Sequence, residues 1–276
     1  MPTGPYRSHV AALALLSILA SLPACDRAQP PSAGDQAAGS RASAPANSEL
    51  TSELETFERQ AENCTGDQEC ASVSVTREVF AQRPALNRAV MRRLLVQLRG
   101  ESEGGNEGAA GNLEEIARQF LAEAAEVAEV SSAGWLLSGE ARRLDRRGNL
   151  LTVEINSYRY TGGAHGMPSV EWFNWDLAAD KHIPLRELIA GGAEQVFWER
   201  AREAHGRWLE QQSEMDPGSG EIWPFQRTGN FRFGDDGLVL LYDVYALGPY
   251  AMGPVKLTIP WQELRGVIDD RFLPPQ

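Results

Sequence analysis

Residues 132–166 read SAGWLLSGEARRLDRRGNLLTVEINSYRYTGGAHG. Two runs rich in strand-favouring residues, 132–144 and 150–160, flank Asp145-Arg-Arg-Gly-Asn149, and the Gly148-Asn149 pair is a hairpin turn signal. The stretch predicts two antiparallel strands and then a backbone excursion at Gly162, Gly163 and Gly166, where glycine makes positive φ available. Upstream, Ala71, Val73, Val75, Arg77 and Val79 alternate with Ser72, Ser74 and Thr76, which predicts a strand with one buried face. Leu86, Val90, Met91, Leu94, Leu95 and Leu98 follow helical spacing, as do Leu113, Ile116, Ala117, Phe120, Leu121, Ala124 and Val127. Asn112 with Glu115 resembles a capping pair for the second helix, and the glycine-rich residues 100–111 connect the two. Residues 50–62 read as a short helical stretch.

Downstream, an aromatic strand over 170–177 precedes a helix near 193–212 marked by Phe197, Ala201, Ala204 and Trp208. A hairpin turning at Gly234-Asp-Asp-Gly237 and a last strand over 255–259 close the chain. The expected fold class is α+β, with largely antiparallel sheets and packed helices in two consecutive regions, 49–160 and 161–276. Arg142, Arg143, Arg146 and Arg147 on the first hairpin read as charges protecting a sheet edge.

Of 276 residues, 42% are hydrophobic and 23% charged, the balance of a globular protein. The formal charge is -12, which argues against a nucleic-acid partner. Residues 1–24 carry one charge, Arg7, and an apolar run from Val10 to Leu22 that suits a secretory signal and is too short for a permanent span. The signal ends Leu22-Pro23-Ala24-Cys25, which resembles a bacterial lipobox with Cys25 as the acylated residue. Residues 25–48 lack aromatic and large aliphatic side chains, so the expectation is a disordered tether. Losing residues 1–24 leaves 25 basic and 38 acidic residues, a charge of -13. Cys64 and Cys70 are spaced for a disulfide closing a small loop. These readings place the protein in the bacterial cell envelope, membrane-anchored and facing the periplasm.

Cofactor chemistry finds little support. The glycines at 162, 163 and 166 lead into Met167-Pro168 and a strand rather than a helix N-terminus, so no phosphate cradle is expected. Besides His9, the histidines are His165, His182 in a turn and His205 on the polar side of a helix, too scattered for a metal site. His165 is a candidate general base, with Asp176 as a carboxylate partner for an envelope hydrolase. A turn histidine bonded to backbone is the blander reading, and no HExxH or GxSxG supports the enzyme. Tyr158, Tyr160, Gly162, Gly163, His165, Trp172, Tyr245 and Tyr250 flank the glycine turns and are the candidate ligand-binding residues. Trp172 and Phe173 point to opposite faces, so one of them is expected in the core.

Tyr158-Arg-Tyr-Thr-Gly-Gly-Ala-His-Gly166, Ile183-Pro-Leu-Arg-Glu-Leu188, Asp236-Gly-Leu-Val-Leu240 and Tyr245-Ala-Leu-Gly-Pro-Tyr-Ala-Met-Gly253 together resemble the extracytoplasmic domain of RsiV-type anti-sigma factors. The stretch from Cys64 to about Tyr160 is similar to the domain that precedes it in that family and that accompanies the peptidoglycan deacetylase PdaC. The resemblance implies binding without catalysis or cofactor. The expected function is a lipid-anchored envelope protein recognising peptidoglycan or a peptidoglycan-acting protein such as lysozyme, with the hydrolase as the alternative and an assembly lipoprotein as a third, blander option. Neither transmembrane signalling nor deacetylation carries over, because the sequence shows no spanning helix ahead of the body and no deacetylase domain after it.

Overall fold

Strand β2 (Ser72–Phe80) runs parallel to β3 (Leu136–Arg147), and parallel neighbours require a crossover. Helices α1 (Pro84–Arg99) and α2 (Leu113–Val127) supply it. The computed structural model describes residues 49–62, 70–100, 112–128, 134–212 and 219–274. Pro84 starts α1 at a position where its missing N–H costs nothing, and Gly100 ends it in the left-handed conformation at φ +75°. The Asn87 side chain both accepts from Phe80 N (2.9 Å) and donates to Phe80 O (2.8 Å), fixing the turn from β2 into the helix. Asn112 caps α2 as its spacing predicts, accepting from Glu115 N at 2.9 Å.

β1 (Ser52–Gln60), β2, β3, β4 (Leu150–Tyr160), β5 (Met167–Asp176) and β6 (Lys181–His182) form one sheet in chain order, antiparallel apart from β2–β3. The predicted hairpin turn sits where expected, with Arg147 opposite Leu150 and Gly148 at φ +60°. Val73, Val75, Leu137, Val153, Ile155 and Phe173 pack under Leu86, Val90, Leu94 and Leu98 of α1 and Phe120 of α2. Among the described residues, the other face of the sheet carries no helix from this region.

Residues 50–62 differ from their helical expectation: they contain strand β1. Cross-strand pairs hold it, with Glu55 on Arg77 at 2.6 Å and Thr56 facing Thr76. As an edge strand it buries almost nothing, so its sequence shows no apolar period. The division expected after Tyr160 falls inside the sheet, between β4 and β5, which pair from Leu150↔Asp176 to Arg159↔Met167. The apolar interior instead separates further along, with one core ending at Leu177 and a second beginning at Ile183.

That second core lies between α4 (Glu194–Glu210) and an antiparallel sheet of β7 (Phe231–Phe233), β8 (Gly237–Tyr242) and β9 (Val255–Pro260). Phe197, Ala201 and Ala204 of the helix meet Phe231, Leu240 and Leu257. Short helices α3 (Leu185–Leu188), α5 (Ser219–Ile222) and α6 (Trp261–Leu264) lie in the connections. The arginine hairpin divides by position. Beyond Ala141, β3 has no β2 partner, and Arg142 pairs with Glu140 along that free edge while Arg143 bonds Glu78. Arg147 instead packs onto the second core, over Phe233 (4.7 Å) and Trp261 (5.2 Å), and burial pulls its pKa below the ordinary arginine value.

His205 departs from its expected polar face. It is 4% exposed, stacked against Trp208, and its Nε2 has no hydrogen-bond partner among the described residues. Burial lowers its pKa, so the unfolded chain takes up the proton first. Stability contributed by neutral His205 is therefore present above the unfolded value of about 6.5 and is lost as pH falls through it. Urea unfolding between pH 7.5 and 5 should show a decline of at most about 1.4 kcal/mol per pH unit that His205→Phe flattens. An identical slope in that variant would assign the effect elsewhere.

Candidate functional site

The loop between β4 and β5, residues 161–166, is built by glycine geometry. Gly162 and Gly163 take φ +94° and +95°, which lets the chain reverse without a clashing Cβ. Gly166 is required for a different reason than the expected positive φ: a Cβ there would lie 2.6 Å from the Tyr158 hydroxyl oxygen and 2.7 Å from Arg159 O. Around it, Tyr158 Oη accepts from Gly166 N (3.1 Å), Tyr250 Oη donates to Gly166 O (2.8 Å), and Tyr160 Oη donates to Gly163 O (3.1 Å). Three tyrosines, two from β4 and one from the distant residue 250, thus hold one short loop.

The loop presents His165, whose ring stacks on Tyr250 with centroids 3.8 Å apart and lies 3.3 Å from Tyr245 Oη through Nε2. Its Nδ1 lies 3.1 Å from Gly166 O. Tyr245 is 44% exposed, stands 5.6 Å from the Tyr250 ring and has φ +67°. A left-handed tyrosine costs about 1–2 kcal/mol, and such strain concentrates where a side chain must be aimed. Met167, the first residue of β5, is also exposed. Sequence reading missed Met167 because strand alternation gives no reason to expose it.

Trp172 does not join this patch. It is 4% exposed, packed with Val239 and Leu241 between β5 and β8, and its Nε1 donates to Glu154 Oε2 at 2.9 Å. Phe173 on the opposite face is buried as well, so both residues are interior because both faces of β5 are covered there. Asp176 lies at the far end of β5 from His165, about 30 Å along a strand rising ~3.3 Å per residue, and it caps the following turn through Ala178 N and Ala179 N. The His165–Asp176 pair expected for a hydrolase therefore does not form. His182 stacks on Phe173 at 4.7 Å. Cys25 and Cys64 lie outside the described residues, as do the signal, the tether and the Cys64–Cys70 disulfide. No helix among the described residues is long and apolar enough to cross a membrane.

Fold and site together define a two-sheet α+β protein with an aromatic and histidine surface patch built on a glycine loop. Residues 186–262 match the model of the DUF3298 family, described as a protein of unknown function, and this stretch contributes Tyr245 and Tyr250 to the patch. A crystal structure of a DUF3298 family protein from Pseudomonas aeruginosa PAO1 is similar over 84% of this chain and all of its own, at 29% identity and a TM-score of 0.71. A DUF3298 family member from Bacteroides fragilis NCTC 9343 shares the fold, at 19% identity, 81% and 98% coverage and a TM-score of 0.57. No curated protein matches significantly.

Proposed function

We propose that this protein is a non-catalytic binding protein of the bacterial envelope, anchored by a lipid on Cys25, that recognises peptidoglycan or a peptidoglycan-acting protein such as lysozyme. In this reading the body is RsiV-like in its C-terminal part and PdaC-like in its N-terminal part. The observation that carries it is the His165–Tyr245–Tyr250 cluster, with His165 and Tyr245 exposed and Tyr250 half-buried, held by hydrogen bonds to loop backbone. Preformed aromatic anchors of this kind supply binding energy at little ordering cost. A net charge of -12 favours encounter with a cationic partner such as lysozyme.

Calorimetric titration of the full chain with lysozyme and with purified peptidoglycan tests the proposal. Binding to at least one is expected, and Tyr245→Asn should weaken it at least about tenfold. Because asparagine tolerates left-handed φ, the same variant should unfold within about 1 kcal/mol of the parent. Absence of binding to both partners, or unchanged affinity in Tyr245→Asn, would sink this reading. The anchor has its own test: Cys25→Ser should release the protein from membranes on fractionation.

A further inference from the structure

The helix-free face of the six-stranded sheet is a second candidate surface. Since α1 and α2 cover the side bearing Val73, Val75, Leu137, Val153 and Ile155, strand alternation turns Ser74, Thr76, Ser138, Glu140, Glu154 and Asn156 the other way. Register sets them side by side: Ser74 opposite Ser138, Thr76 opposite Glu140, Glu140 opposite Asn156, and Glu154 opposite Trp172. An open sheet face would ordinarily be flat and washed by solvent. Here the second sheet rises beside it through Leu241 and Lys256, turning the face into a groove of about 600 Å³, within the range of small-ligand sites.

The chemistry of the floor narrows what fits. Glu154 is preoriented, its Oε2 accepting from Trp172 Nε1 (2.9 Å) and its Oε1 from Asn156 Nδ2 (3.1 Å). Asn156 Oδ1, shielded from solvent, takes no hydrogen bond from the described residues, so the polar network is not self-satisfied among them. An apolar ligand would leave Asn156 Oδ1 without a partner, at about 1–3 kcal/mol, and strip water from the half-buried hydroxyls of Ser74, Thr76 and Ser138. A polyanion would meet Glu140 and Glu154, and a polycation would meet Lys256, which stands 5.7 Å from the Trp172 ring. Carboxylate, hydroxyl, amide and ammonium groups arrayed at strand spacing match a ligand that is uncharged and dense in alternating donors and acceptors.

We propose that this groove binds a neutral, hydroxyl-rich oligosaccharide, entering along the open sheet face. The inference rests on the envelope-recognition reading for its biological setting, but its floor is the polar sheet face, which meets the aromatic patch only at Tyr158 and contains neither His165, Tyr245 nor Tyr250. Titrating the full chain with the tetramer of N-acetylglucosamine tests it, with tryptophan fluorescence and calorimetry as readouts. Saturable binding is expected, weakened at least about tenfold by Ser138→Trp, which fills the groove, and by Glu154→Gln, while Tyr245→Asn leaves it unchanged. Should Ser138→Trp fail to fold by near-ultraviolet circular dichroism, Glu154→Gln alone decides. No saturation up to about 10 mM, or affinity left within about twofold by the groove variants, overturns the inference. Loss of sugar binding only in Tyr245→Asn also overturns it. Lysozyme or peptidoglycan binding without tetramer binding rejects the groove and leaves the functional proposal standing; the reverse pattern rejects that proposal and keeps the groove.

Discussion

Gly166→Ala is expected to destabilise the protein by about 3 kcal/mol and to abolish recognition at the aromatic patch. The added methyl would overlap the Tyr158 ring and lie 2.7 Å from Arg159 O. A side chain alone can swing away, but Arg159 belongs to β4, which is paired on both sides, with Leu137 of β3 and Met167 of β5 at that residue. The backbone oxygen cannot retreat without breaking the sheet. Displacing Tyr158 in its place loses its bond to Gly166 N, and the loop carrying His165 shifts away from Tyr250. For a body of this size, ~3 kcal/mol corresponds to a fall of roughly 6–12 °C in Tm. Thermal unfolding and a binding titration on the same sample check both halves. A Tm within 2 °C of the parent would show that the loop absorbs the methyl and that the close approach is not required.

Asn230→Ala should cost about 2–5 kcal/mol, because one side-chain amide there replaces an absent strand. Beyond the two residues that β6 covers, the outer edge of β5 has no ladder partner. Asn230 Oδ1 accepts from Trp172 N (2.8 Å) and Nδ2 donates to Val170 O (2.7 Å), as a neighbouring peptide would. The residue is itself held, its N–H donating to Thr228 Oγ1 (3.0 Å) and its carbonyl accepting from Leu241 N (2.9 Å). Removing the amide leaves a buried N–H and a C=O without partners at the join between the sheets. Asn230→Asp should be intermediate, since it keeps the acceptor for Trp172 and loses the donor for Val170. Hydrogen exchange gives a local readout: the Trp172 amide should lose protection in Asn230→Ala before the amides of β3 do. Unchanged protection at Trp172 would mean that water or another group satisfies the edge.

The periodic elements were legible because each buries one face. Helices α1 and α2, strands β2 to β5 and the hairpin at Gly148 all follow from apolar spacing and turn residues. β1 was not legible, since an edge strand held by Glu55–Arg77 and Thr56–Thr76 leaves no apolar rhythm to read. His205 was misplaced for a related reason. Helical position says which side chains share a face, but Phe225 arrives from a distant loop to cover the ring, and nothing near His205 in the chain announces it.

At the site, the glycines, His165 and the tyrosines stand out by type alone, and the loop, the left-handed Gly162 and Gly163 and the histidine stacked on Tyr250 lie among them. Local sequence determined the elements and this cluster of candidates, because propensity, spacing and turn chemistry act over a few residues. Only the tertiary structure decided that Trp172 is interior, that Asp176 stands a strand's length from His165, that Gly166 is fixed by contact with Tyr158, and that a polar sheet face becomes a groove. The burial of Trp172 and the groove depend on surfaces that meet across residues far apart in the chain, set by packing of the two sheets, while the other two depend on backbone geometry, the length of β5 and the close return of the loop onto Tyr158, that residue types alone do not specify.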